Sequence, residues 1–124
     1  MLMDKRMVLE VPAAPENMLV VRLTVGGACT RLDFTVDALE DAKIAVAEAC
    51  LMLMQGRGCA ALRVELTPIN DGLQARVDAL GEGERLQHPG EEYDPDFSKL
   101  MLGALTEYLD VQDDTITLHL AGDI

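Results

Sequence analysis

The chain reads as an α+β domain, a two-layer α/β sandwich in which a mixed, mostly antiparallel sheet is covered on one face by about three helices. Three observations predict it. Asp37–Gln55 is the longest uninterrupted helical run, and from Ile44 to Met54 its one charge is Glu48. Ala60–Thr67 and Leu73–Ala79 alternate apolar and polar residues around the turn Asn70-Asp71-Gly72. Further strand signals stand near both ends, with helical stretches between. The 124 residues fit one domain, 1–124, long enough to bury a core.

In order, Met7–Val11 reads as a first strand closed by Pro12. Glu16–Leu32 admits two readings. Val21, Leu23 and Val25 alternate against Arg22 and Thr24 as in a strand, whereas Met18, Val21, Val25, Ala28 and Leu32 form a helical stripe with Pro15 and Glu16 suited to its first turn. Gly26-Gly27 would weaken such a helix or admit a close backbone neighbour. In Asp37–Gln55, Leu39, Ala42, Val46, Ala49 and Leu53 share one face. Thr35 or Asp37 suits the start, Gly56 and Gly58 the stop, and the lone charge between Ile44 and Met54 is Glu48, so the helix is expected to be buried on most sides.

Leu62, Val64 and Leu66 oppose Arg63, Glu65 and Thr67, and Leu73, Ala75, Val77 and Ala79 oppose Gln74, Arg76 and Asp78, which makes two half-buried strands of one hairpin. Gly81–Ser98 is polar and rich in Gly and Pro, hence a loop. Asp96 or Ser98 would cap a helix to about Leu109, with Leu102, Leu105 and Leu109 inward, and Thr115–Leu120 closes the pattern as a strand.

Composition bounds the function. A net charge of −12 argues against nucleic acid, which requires cations on its phosphates, and against an anionic membrane surface. It is compatible with a basic protein partner, and serves solubility equally well. Aromatics are 3% with no Trp, so the core must be aliphatic. Cys29, Cys50 and Cys59 form no CxxC pair and suit reduced thiols in the cytoplasm, Cys29 and Cys50 as small core hydrophobes. His88 and His119 have no metal-ligand spacing around them. The opening MLMDKR lacks a secretory apolar segment, and Ile44–Met54 is too short to span a bilayer.

From about Met18 to Leu120, and best over Val20–Glu48, the segments resemble the anti-sigma-factor serine kinases of the histidine-kinase-like, or Bergerat-fold, ATPase superfamily. The resemblance favours helix for Glu16–Leu32. It implies a nucleotide site built on three motifs. The helix signature Glu-Ala-x-x-Asn-Ala-x-x-His supplies a base and an Asn ligand for Mg²⁺; here Glu48-Ala49 stands, but Met52 takes the Asn place and Gly56 the His place. A thioether is a poor ligand for this hard cation. The strand-end motif Asp-x-Gly-x-Gly holds adenine through its Asp; Gly81 and Gly83 match, with Ala79 at the Asp place. Asp78 is one residue away, but strand alternation turns it to the opposite face. The Gly-x-Gly that opens the last helix on the phosphates is replaced by Lys99-Leu100-Met101.

The degenerate nucleotide-site positions are therefore Glu48, Met52, Ala79, Gly81 and Gly83, with no metal site, no confident catalytic residue and no cofactor expected. Glu48 is either a solvated carboxylate at a cleft mouth or, in an active kinase using ATP and Mg²⁺, the base. Three functional readings follow from the resemblance: a pseudokinase that regulates by binding a sigma factor, an anti-sigma antagonist or its own copy as a dimer; an active serine kinase with an unusual site; or a small-molecule module whose apolar pocket lies by Met52 and Ala79.

Overall fold

A computed structural model describes residues 5–87 and 93–123. Strand β1 is Met7–Pro12, helix α1 Met18–Arg31, helix α2 Val36–Gly56, β2 Ala61–Ile69, β3 Gly72–Leu80, helix α3 Pro95–Leu105, β4 Tyr108–Val111 and β5 Thr115–Ala121. The strands form one sheet in the order β1-β2-β3-β5-β4, with every pairing antiparallel. The helices cover one face. Leu62, Val64, Leu66, Leu73, Ala75, Val77, Ile116, Leu118 and Leu120 point into that layer and are buried, while Arg63, Arg76 and their neighbours at alternate positions face away.

Helix α2 is the centre of the helical layer. The Ala38 amide donates to the Thr35 hydroxyl oxygen at 3.2 Å, which selects Thr35 as the N-cap. Ten of its residues are buried, including Ala42, Ala45, Val46, Ala49, Cys50 and Leu53, so it is enclosed by α1, α3 and the sheet rather than laid along one side.

Helix α1 follows a 3₁₀ turn at Pro15–Asn17. Met18, Val21, Val25 and Ala28 are buried, whereas Leu23 is 66% exposed. A strand would have buried Leu23 with Val21 and Val25, so the 3.6-residue period prevails. The glycine pair admits no backbone. A methyl at Gly26 would rest against the Lys43 side chain at 3.7 Å, and one at Gly27 would meet nothing within 4 Å.

The hairpin turns at Asn70-Asp71, where Asp71 adopts φ +60°. Gly72 is pressed against the Leu120 backbone so closely that any side chain would collide. Pro68 sits inside β2 without harm, because β1 reaches only to Leu66 and leaves the Pro68 edge unpaired on that side.

The third helix differs from expectation at both ends. It starts at Pro95 and is capped by Asp94, which accepts from the Phe97 amide at 3.2 Å; neither Asp96 nor Ser98 is the cap. It stops at Leu105. Thr106 turns extended, the Glu107 amide donates to the His119 carbonyl at 2.9 Å, and Tyr108–Val111 pairs with β5 as a strand that no local signal predicted. Leu109 still faces inward, but opposite Leu118 on a sheet edge. The sheet hydrogen bonds available there outweigh one more helical turn. Of the expected loop, residues 88–92, with His88, lie outside the described residues.

Candidate functional site

Glu48, Met52 and Gly56 are spaced four apart on α2 and lie along one side of its C-terminal half. The N-terminal half of α3 crosses this line. The Ser98 hydroxyl donates to the Glu48 carboxylate at 3.0 Å. Ser98, at 6% exposure, is the buried polar residue of the described core. Tyr93 closes the arrangement: its ring lies over Gly56, where an added methyl would stand 3.3 Å from the ring. Burial and, after it, the Glu48 carboxylate push the Tyr93 phenol above its ordinary pKa. Glu48 is thus half-buried in a polar cluster that ties α3 to α2.

Beside this cluster is a cleft of about 510 Å³ between α2, α3 and the β4–β5 turn. Its floor is Met52, Leu53, Val111 and Ile116; Arg57, Lys99, Tyr93 and Asp113 stand around it. Arg57 is fixed by its backbone neighbours, with Nη1 donating to the Gly58 carbonyl at 2.8 Å and to the Gly81 carbonyl at 2.9 Å. Volume and apolar floor fall in the range of small-molecule sites.

Of the five sequence-selected positions, Met52 alone lines the cleft, at 3% exposure as part of its floor, while Glu48 stands one turn before it on α2, bonded to Ser98. Ala79 points into the core among the helix-facing residues of β3, and its amide donates to the Asp114 carbonyl at 2.8 Å. Asp78 is on the other face, where it accepts from Arg76 Nε at 3.1 Å and from the Thr115 hydroxyl at 2.6 Å, as strand alternation requires. Gly81 has φ +71° and supplies the carbonyl that holds Arg57. Gly83 is pressed on the Cys59 carbonyl, with no room for a side chain. Both glycines therefore have packing roles at the α2–β2 connection.

Sequence reasoning missed three contributors. Arg57 left a faint trace, a lone cation between two glycines at a helix end. Tyr93 left none. Ser98 stands fifty positions from Glu48, and no local pattern announces that bond.

The thiols are structural. Burial pushes Cys29 up to about 11 and Cys50 up to about 12, the latter with a contribution from nearby Cys59, which burial also raises. All three are free. His119 bonds Gln74 at 3.0 Å and lies against Tyr108, with ring centroids 4.8 Å apart. Among the described residues there is no group of three metal-ligating side chains, and no helix is long and apolar enough to cross a membrane.

No family model matches the chain. Curated proteins match over a shorter stretch. It is 47% identical over 47 residues to the serine-protein kinase RsbW of Bacillus subtilis, which is 38% of this chain and 29% of that protein. It is 60% identical over 42 residues to RsbW of Halalkalibacterium halodurans, 34% of this chain and 26% of that protein. With RsbW of Bacillus cereus it is 40% identical over 47 residues, 38% and 29% of the two chains. The matched stretch spans less than a third of these relatives. The similarity supports the anti-sigma-factor serine-kinase resemblance at family level.

Proposed function

We propose that this protein is an anti-sigma-factor-like regulator that acts by protein contact in the cytoplasm and has given up ordinary ATP binding. The observation that carries this reading is the chemistry around the cleft. Where the family would present an Asn oxygen to Mg²⁺, the floor presents the Met52 thioether. Where a glycine-rich helix start would offer free amides to phosphates, the N-terminus of α3 is capped by the chain's own Asp94 carboxylate, with Asp96 in its first turn. A polyphosphate there would meet carboxylates instead of donors. These residues do not fit Mg·ATP, and Glu48 is engaged by Ser98 as a helix clamp.

A surface suited to a partner exists elsewhere. Helix α1 holds no acidic residue, and its outer side exposes Leu19, Val20 and Leu23 beside Arg22 on an otherwise strongly acidic chain. Such an apolar and basic patch suits a sigma factor, an anti-sigma antagonist or a second copy of the chain. Calorimetric titration with ATP and Mg²⁺ tests the reading: no saturable heat is expected, and micromolar binding overturns it.

The retained Glu48 within a chain similar to serine-protein kinases favours a second reading, an active serine kinase with Glu48 as base. It requires phosphate transfer to a serine of a partner, lost in Glu48→Gln. The open cleft beside Met52 favours a third, a small-molecule module.

A further inference from the structure

The geometry points to the cleft beside Met52 as a binding site for a small amphipathic carboxylate, an aliphatic body ending in a single negative charge. This goes beyond the regulatory reading and takes from it only the absence of nucleotide.

The floor of Met52, Leu53, Val111 and Ile116 is aliphatic and unbranched or flexible at Met52, a surface that adapts to an alkyl chain. Two cations line the same cleft, Arg57 and Lys99. Among the described residues neither Arg57 nor Lys99 forms an ion pair, so no side-chain carboxylate competes for them, a condition they share with Lys5, Arg22, Arg31 and Arg85 but combine with a place on an apolar-floored cleft. Arg57 is also oriented in advance. Both of its backbone bonds use Nη1, so that among the described residues Nη2 and Nε keep their donors for a ligand. A guanidinium held by two carbonyls loses little freedom on meeting a carboxylate, and presents it a planar pair of donors.

The charge on the ligand is bounded from the other side. Asp113 lines the cleft, and Asp94 and Asp96 stand at the start of α3 close to the lining Pro95. One negative charge finds Arg57 and Lys99; a di- or triphosphate would carry surplus charge into these carboxylates. A neutral alcohol of equal length would fill the floor and leave the cations without a partner.

Titration of the full chain by calorimetry with octanoate, 1-octanol and octylammonium tests the proposal. Octanoate is expected to bind one to one, with octanol and octylammonium at least tenfold weaker. Arg57→Gln should weaken octanoate at least tenfold and leave octanol unchanged. Because Arg57 also braces Gly58 and Gly81, exposed Lys99→Gln is the second variant, expected to weaken octanoate about threefold with the thermal midpoint unmoved. No saturable octanoate binding, octanol equal to octanoate, or both variants equal to the parent would overturn the proposal. Mg·ATP is titrated in parallel. If it binds without displacing octanoate, the carboxylate site stands and the nucleotide-free reading falls; if it displaces octanoate, both fall; if octanoate fails and Mg·ATP is silent, the carboxylate site falls and the nucleotide-free reading stands.

Discussion

The Glu48–Ser98 bond decides whether Glu48 is a structural clamp, and removing it is a measurable perturbation. Ser98 is 6% exposed and donates to a carboxylate at 3.0 Å, a charge-assisted bond. Such bonds contribute roughly 1.5–3 kcal/mol when enclosed. Glu48 is only half-buried, and water would partly replace the lost donor. The expected cost of Ser98→Ala is therefore about 1–2 kcal/mol, or roughly 3–8 °C in thermal midpoint for a domain of this size. Glu48→Gln should cost a similar amount, and the double variant little more than either alone. Urea unfolding of all four proteins gives the coupling energy, expected at about 1 kcal/mol. Hydrogen exchange should show α3 opening more readily in Ser98→Ala than α1, which is remote from the bond. A coupling below about 0.3 kcal/mol, with the two single costs simply adding, would refute the clamp and return Glu48 to the role of a free carboxylate.

Other outcomes follow from the same contacts. Gly27→Ala should stabilise by about 0.5–1 kcal/mol, because a helical methyl there meets nothing, while Gly72→Ala should destabilise strongly by driving a methyl into the Leu120 carbonyl; denaturant midpoints separate the two. Asp94→Ala should cost about 1 kcal/mol through loss of the α3 cap, read the same way. The thiols predict an alkaline limit. Their folded pKa values, about 11 for Cys29 and about 12 for Cys50, lie above the ordinary 9.0, so the unfolded chain releases these protons first. Stability is intact below pH 9 and falls as pH rises towards 11 and 12, by up to about 1.4 kcal/mol per pH unit for each thiol. Cys29→Ala should flatten the slope between pH 9 and 11 in urea unfolding followed across pH; an unchanged slope would contradict the burial.

Local pattern was enough for the hairpin β2–β3, for β5 and for α2. In each, side-chain periodicity has a single solution: Leu62, Val64 and Leu66 can all face a core only if Arg63 and Glu65 face water, and between Ile44 and Met54 helix α2 has only Glu48 to offer water. The same alternation places Asp78 and Ala79 on opposite faces, as the structure has them. Where two periods fitted, as in α1, the residues alone were undecided, and docking on α2 settled the matter by leaving Leu23 in solvent. Tyr108–Val111 became a strand because β5 offered a free edge, a fact about a partner segment and not about Leu109. The site depended on tertiary structure most of all. Met52 and Ala79 look like parts of one pocket in the sequence, but the sheet draws Ala79 into the core while α3 and the β4–β5 turn build the cleft over Met52. Ser98 on Glu48, Tyr93 on Gly56 and Arg57 on Gly81 are meetings between separate elements. A one-dimensional pattern fixes which face of an element is apolar; which polar group it then meets across the core is set only when the layers dock.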